Sequence, residues 1–149
     1  MIETRLDKNF KIKGFFDEET STISYVVYDM TSKKCAVIDS VLDFDFSSGA
    51  IDYHNAEKII SFIEKMKLDL EWLIETHVHA DHLSASPYIQ KKLGGKIGIS
   101  EKISDIQNIF GKTFNAGTEF RRDGSQFDRL FKDNDEYKIG SIKCKVINT

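Results

Sequence analysis

Three of the chain's four histidines fall within six residues, in the run Thr76-His77-Val78-His79-Ala80-Asp81-His82. His77 and His79 are two positions apart, so on extended backbone they project to the same side. Asp81 and His82 follow at once, where the chain has to turn before the helical pattern that opens near Ser86. Any fold open to this chain therefore carries a dense group of imidazoles and a carboxylate on one short turn. Such a donor set suits zinc, or iron in an oxygen-activating site. The competing reading, a histidine-rich surface loop, leaves unexplained why the group sits at a strand end, where functional residues gather. His77, His79, Asp81 and His82 are thus the candidate metal ligands. His54, the fourth histidine, stands beside a helix start and reads as a surface residue.

Upstream of the motif, Thr22–Tyr28 is rich in β-branched and aromatic residues and predicts a strand. A polar turn over Asp29–Lys34 and a short apolar strand, Cys35–Asp39, complete a hairpin. Successive apolar residues in that strand imply cover on both faces. Ser40–His54 reads as a polar loop whose acidic residues lack the glycine and terminal glutamate of a calcium loop. Asn55 is a candidate N-cap for a helix with Ala56, Ile59, Ile60, Ile63 and Met66 at helical spacing. Leu68–Glu75 is the strand that delivers the motif, and its Trp72 reads as core.

Downstream, Ser86-Pro87 opens a helix through Leu93, and Gly94-Gly95 stops it. Lys96–Ile99 is a short strand, and Ser100 caps a helix that turns Ile103, Ile106 and Phe110 inward. Gly111–Asp133 reads as a long irregular segment in which Arg121 and Arg122, beside Asp123, could meet an anionic thiol substrate but read as surface ion pairs. Glu136–Ile139, a turn at Gly140 and the alternating Ser141–Ile147 predict a closing hairpin. Strands alternating with helices give an α/β architecture.

A length of 149 residues fits one domain, spanning 1–149. A net charge of −3 with no basic stripe argues against nucleic acid. No apolar run reaches a membrane span, and Met1–Arg5 carries no apolar leader, so a cytoplasmic location is expected. Cys35 and Cys144 lie far apart and read as reduced core residues.

The motif has the form His-x-His-x-Asp-His. With it, Val37-Ile38-Asp39, Val41-Leu42-Asp43, Glu75-Thr76 ahead of the motif and Lys92-Leu93-Gly94-Gly95-Lys96-Ile97 resemble the metallo-β-lactamase superfamily. The run Asp123-Gly124-Ser125-Gln126-Phe127-Asp128-Arg129-Leu130-Phe131 is similar to the branch holding bacterial persulfide dioxygenases, close to the glyoxalase II thioesterases. The resemblance implies that the chain is the N-terminal half of an αββα sandwich. It also implies that Asp39 braces the metal loop by hydrogen bonding. Where that family usually has proline after the aspartate, this chain has Ser40.

In the resembled family, His77 and His79 serve one metal position and Asp81 and His82 a second. Its remaining ligands, in a Pro-Gly-His turn and later strands, would follow Thr149. The resemblance therefore implies a truncated domain that binds iron or zinc weakly or not at all by itself. The full site implies a mononuclear iron dioxygenase acting on glutathione persulfide, whose iron takes only His77 from the motif, or a dinuclear zinc hydrolase acting on a glutathione thioester, which uses all four motif residues. A third expectation is a truncated or split-gene product without catalysis. A half-sandwich with one wet sheet face is expected to form a homodimer or to take a complementing C-terminal half.

Overall fold

The computed structural model describes residues 9–149. Met1–Arg5, considered above for a leader, lie outside the described residues. In chain order the elements begin with β1 (Phe10–Asp17), β2 (Thr22–Asp29), β3 (Lys34–Ile38), β4 (Val41–Asp45), β5 (Ala50–Asp52) and α1 (His54–Lys65). β6 (Asp69–Ile74), β7 (Leu83–Ser84), α2 (Ser86–Leu93), β8 (Lys96–Ser100) and α3 (Ile103–Thr113) follow. β9 (Arg129–Phe131), β10 (Glu136–Ile139) and β11 (Ile142–Lys145) close the chain. The main sheet runs β1-β2-β3-β6-β8-β9, antiparallel from β1 to β3 and parallel from β3 to β9.

β3 explains the layering. Cys35, Ala36 and Val37 are all buried, as a strand covered on both faces requires. On one face Val26, Cys35, Val37, Leu70 and Leu73 pack against Ile59 and Ile63 of α1 and Ile89 of α2. On the other, Val27 and Ala36 meet Ile139, with Trp72, Tyr137, Ile142 and Cys144 around them. A register shift opposite Cys35–Ala36 skips Glu71, so Leu70 and Trp72, two residues apart, reach opposite layers. Trp72 lies against Tyr137 and Phe131 and donates from Nε1 to the Lys138 carbonyl at 3.0 Å. The mixed α/β arrangement is the expected one, and among the described residues no helix is long and apolar enough to cross a membrane.

Several expectations need correction. The sheet face opposite the helices is not wet throughout, because the β10–β11 hairpin folds over its middle. Exposed apolar surface on that face is found at β1–β2, where Ile12, Phe16, Ile23 and Tyr25 line up with Val27 by alternation. Ser40–His54 is no loop: β4 and β5 form a hairpin, because Val41 and Leu42 also pair with β7 across the motif turn. Asn55 is no N-cap. The helix begins at His54, and Asn55 ties Asp17 and Asp43 together through its amide. Ser100 ends β8, and α3 starts three residues later without a side-chain cap. α3 extends to Thr113 and β9 forms at Arg129, which shortens the irregular segment. Phe110 on α3 is exposed rather than buried, and Arg122 donates to the Gly111 and Ala116 carbonyls instead of a surface carboxylate.

The proline and glycine signals around α2 stand as expected. Pro87 occupies the first turn, and Gly94 and Gly95 both take left-handed φ, at 77° and 85°. His54 is exposed.

Candidate metal centre

The motif loop hangs between the ends of two adjacent parallel strands, β3 and β6. Asp39, the first residue past β3, has φ of 50°, a left-handed conformation that aspartate tolerates better than most residues. Its N–H donates to the Ile74 carbonyl at 3.0 Å, and Ser24 Oγ donates to the Asp39 carbonyl at 2.8 Å. Pinned in this way, the carboxylate faces the loop. Oδ1 accepts the Thr76 N–H at 2.7 Å, and Oδ2 accepts the Thr76 hydroxyl at 2.6 Å. Ser40, in place of the proline, is buried. Its hydroxyl meets Ser86 Oγ at 3.1 Å and its carbonyl accepts the Ala85 N–H, which anchors the start of α2 to the same strand end.

The Thr76 hydroxyl has one proton, and Asp39 takes it. At 2.8 Å from His77 Nδ1, Thr76 Oγ1 can then only accept. In neutral His77, therefore, Nδ1 carries the hydrogen and Nε2 carries the lone pair. The same logic applies to His82, whose Nδ1 lies 3.0 Å from the Leu83 carbonyl, an acceptor only. Both rings thus present Nε2 as the metal-binding nitrogen.

His79 is placed differently. Its Nε2 donates to Asp39 Oδ1 at 3.1 Å and to Glu75 Oε2 at 3.2 Å. The hydrogen bonds to Asp39 and then Glu75 raise its pKa from 6.5 to about 9, against the opposing effect of burial. Burial pushes the Asp39 carboxyl upward, but the hydrogen bonds from His79 and Thr76 outweigh it and hold its pKa below 3.8. Glu75 is buried and also accepts the hydroxyls of Ser84 and Ser86.

Two overlapping donor groups result. Asp39, His77 and His79 offer atoms within 4.8 Å of one another, and so do His79, Asp81 and His82. The rings of His77 and His79, and of His79 and His82, have centroids 4.2 Å apart. Imidazole and carboxylate donors at this spacing fit a borderline metal such as zinc or iron. Beside the loop opens a cleft of about 790 Å³, walled by Ile99, Ile103, Phe131 and Tyr137 and reached by His77 and His79.

All four sequence-predicted donors and Asp39 come together in the structure. Thr76 and Glu75 were not singled out from the sequence. The adjacency of both residues to the first histidine is the signal that could have found them.

The Metallo-beta-lactamase superfamily profile matches residues 18–142. A probable metallo-hydrolase of Burkholderia pseudomallei is 46% identical over 138 residues, covering 93% of this chain and 47% of that protein. A mitochondrial persulfide dioxygenase, ETHE1 of Bos taurus, is 24% identical over 96 residues, covering 64% of this chain and 34% of its own. Among solved structures, ETHE1 from Myxococcus xanthus superposes with a TM-score of 0.63 at 20% identity, over 89% of this chain and 45% of that one. The chain spans about half the length, or less, of these relatives. With the matched profile covering most of its length and the motif loop set at the end of a central strand, this chain belongs to the metallo-β-lactamase superfamily.

Proposed function

We propose that this chain carries part of the metal centre of a glutathione persulfide dioxygenase, with His77 as its iron ligand, His79, Asp81 and His82 grouped beside it, and Asp39 as the brace of their loop. The relay from Asp39 through Thr76 to His77 carries this reading, because it assigns the proton to Nδ1 and leaves Nε2 free to ligate. Groups of this kind, hydrogen-bonded behind a ligand, set its tautomer and ring orientation. The likeness to a protein named persulfide dioxygenase supports the substrate class. Iron held there would supply the oxygen-activating chemistry by which a persulfide, O₂ and water give a thiol and sulfite.

The chain's own residues prepare that site. Thr76 and the Leu83 carbonyl hold protons on the Nδ1 atoms of His77 and His82. Asp39 and Glu75 hold the His79 ring in the interior of the loop. Ile99, Ile103 and Phe131 give the cleft on one side of the motif an apolar wall. Of the iron ligands that the family resemblance implies for a dioxygenase, the motif holds one, His77; for the dinuclear hydrolase it holds all four motif donors. A polypeptide that bears the remaining ligands would complete the centre.

The sharing of His79 between two donor groups favours a second reading, a dinuclear zinc hydrolase acting on a glutathione thioester. Metal analysis, with oxygen uptake on glutathione persulfide and hydrolysis of a glutathione thioester, separates the two. Each assay is run with and without a polypeptide bearing the remaining ligands. Iron-dependent oxygen uptake supports the dioxygenase, and zinc-dependent hydrolysis replaces it with the second reading. Neither activity in the complemented protein sinks both.

A further inference from the structure

The charges around the motif loop are divided by side. In the 790 Å³ cleft the lining cations are Lys102, at the start of α3, and Lys145, at the end of β11. Neither ammonium makes an ion pair or hydrogen bond among the described residues, though Lys145 has Glu136 opposite it across the β10–β11 pair. The cleft's one acidic side chain, Glu75, is already taken by Ser84, Ser86 and His79. Asp105, the acidic residue in the first turn of α3, does not line it. Across the loop, a smaller hollow of about 210 Å³ shows the opposite pattern. It is lined by Asp17, Glu19, Asp43 and Asp81, with no lysine or arginine.

We propose that Lys102 and Lys145 are the specificity-determining residues that seat the carboxylate end of the substrate, so that its stem lies on the apolar wall and its sulfur points to His77. The inference rests on the proposed action on an anionic thiol and adds the residues that recognise the anion. An unpaired ammonium above apolar wall is a ready partner for a carboxylate, because the stem packs while the head keeps its charge accessible. The acidic hollow repels the same carboxylate, so the two sides together choose one orientation along the loop. Ile103 and Ile106, one and four residues beyond Lys102, form the wall under such a ligand.

The test uses S-hexylglutathione, a non-reactive dicarboxylate with an apolar tail, titrated into the full chain and followed by NMR and calorimetry. Wild-type protein is expected to bind it, with shifts at Ile103, Ile106 and Val146. Changing Lys102→Gln and Lys145→Gln together should weaken binding by about tenfold or more, given the strength of charge-assisted contacts. The dimethyl ester of the probe should bind wild type as weakly as the acid binds the double variant. Lys65→Gln, on the last turn of α1, controls for general charge and should change nothing. No binding by wild type, or equal binding by the double variant, overturns the inference. Lysine-dependent binding without persulfide or thioester turnover in the complemented protein leaves it standing and removes the proposed activity instead.

Discussion

The carboxylate of Asp29 accepts both the N–H and the hydroxyl of Ser141, 112 positions further along the chain, at 2.9 and 2.6 Å. Asp29 is fully buried at the end of β2, and it also accepts the Ser32 hydroxyl at 2.7 Å and the Thr31 N–H at 2.9 Å. This one side chain fastens the β10–β11 turn to the main sheet.

That fastening makes stability acid-sensitive. The hydrogen bonds from Ser141, then Ser32, hold the Asp29 carboxyl far below its ordinary 3.8. Its folded pKa is depressed, so its contribution is complete above about pH 4 and is lost as pH falls through the lower folded value. Asp29→Asn should lower the denaturation midpoint at neutral pH, and the gap to wild type should close in strong acid. Trp72, the sole tryptophan, packs against the hairpin and gives the fluorescence readout. Parallel midpoints at all pH values would contradict this.

Thr76→Val keeps the shape of residue 76 but removes the hydroxyl that fixes the His77 tautomer. Its zinc or cobalt affinity should fall by roughly 10–100-fold, the usual cost of losing a ligand's hydrogen-bond partner. Thr76→Ser should retain most of the affinity. Competition against a chelator measures both, and equal affinities for valine and serine variants would remove Thr76 from the centre.

Asp39→Ala should disorder residues 76–82 more than it destabilises the domain. The loop loses three hydrogen bonds, two to Thr76 and one to His79, while the apolar layers on either side of β3 are untouched. Amide exchange is expected to rise sharply across the loop and only slightly in β3 and β6. Uniform exchange throughout would make Asp39 an ordinary stability residue.

The exposed row on β1–β2 should drive self-association. Ile12 and Phe16 are 55% and 58% exposed, and Ile23 and Tyr25 stand beside them. Light scattering at micromolar concentration is expected to find a dimer, and Ile23→Lys should shift it to monomer without loss of fold. A wild-type monomer that binds no hydrophobic dye would end the idea.

Much of the motif's setting was readable from sequence because it rests on local signals. Pro87 and the Gly94-Gly95 pair mark both ends of α2, and the apolar run of β3 announces cover on both faces. The β4–β5 hairpin was not readable. β4 is held partly by β7, some forty residues away, and that pairing leaves no trace in the local pattern. Asn55 misled for a related reason: its amide serves Asp17 and Asp43, which only the fold brings near. Thr76 was invisible as a site residue because its role depends on Asp39, 37 positions earlier.

The left-handed turn at Asp39 has a second consequence, for how the chain finds its own alignment. β3 is apolar toward both layers, so sliding it one residue along β6 would exchange one buried apolar side chain for another at little hydrophobic cost. Oily contact alone leaves that slide almost unopposed. The bonds from Thr76 to Asp39 form in one alignment only, and a slipped pair would leave the carboxylate without its donors. The brace behind the histidines is thus also a latch on strand order. A substitution that spoils this brace is expected to slow refolding through misaligned species, while the folded molecules keep β3 and β6 in order.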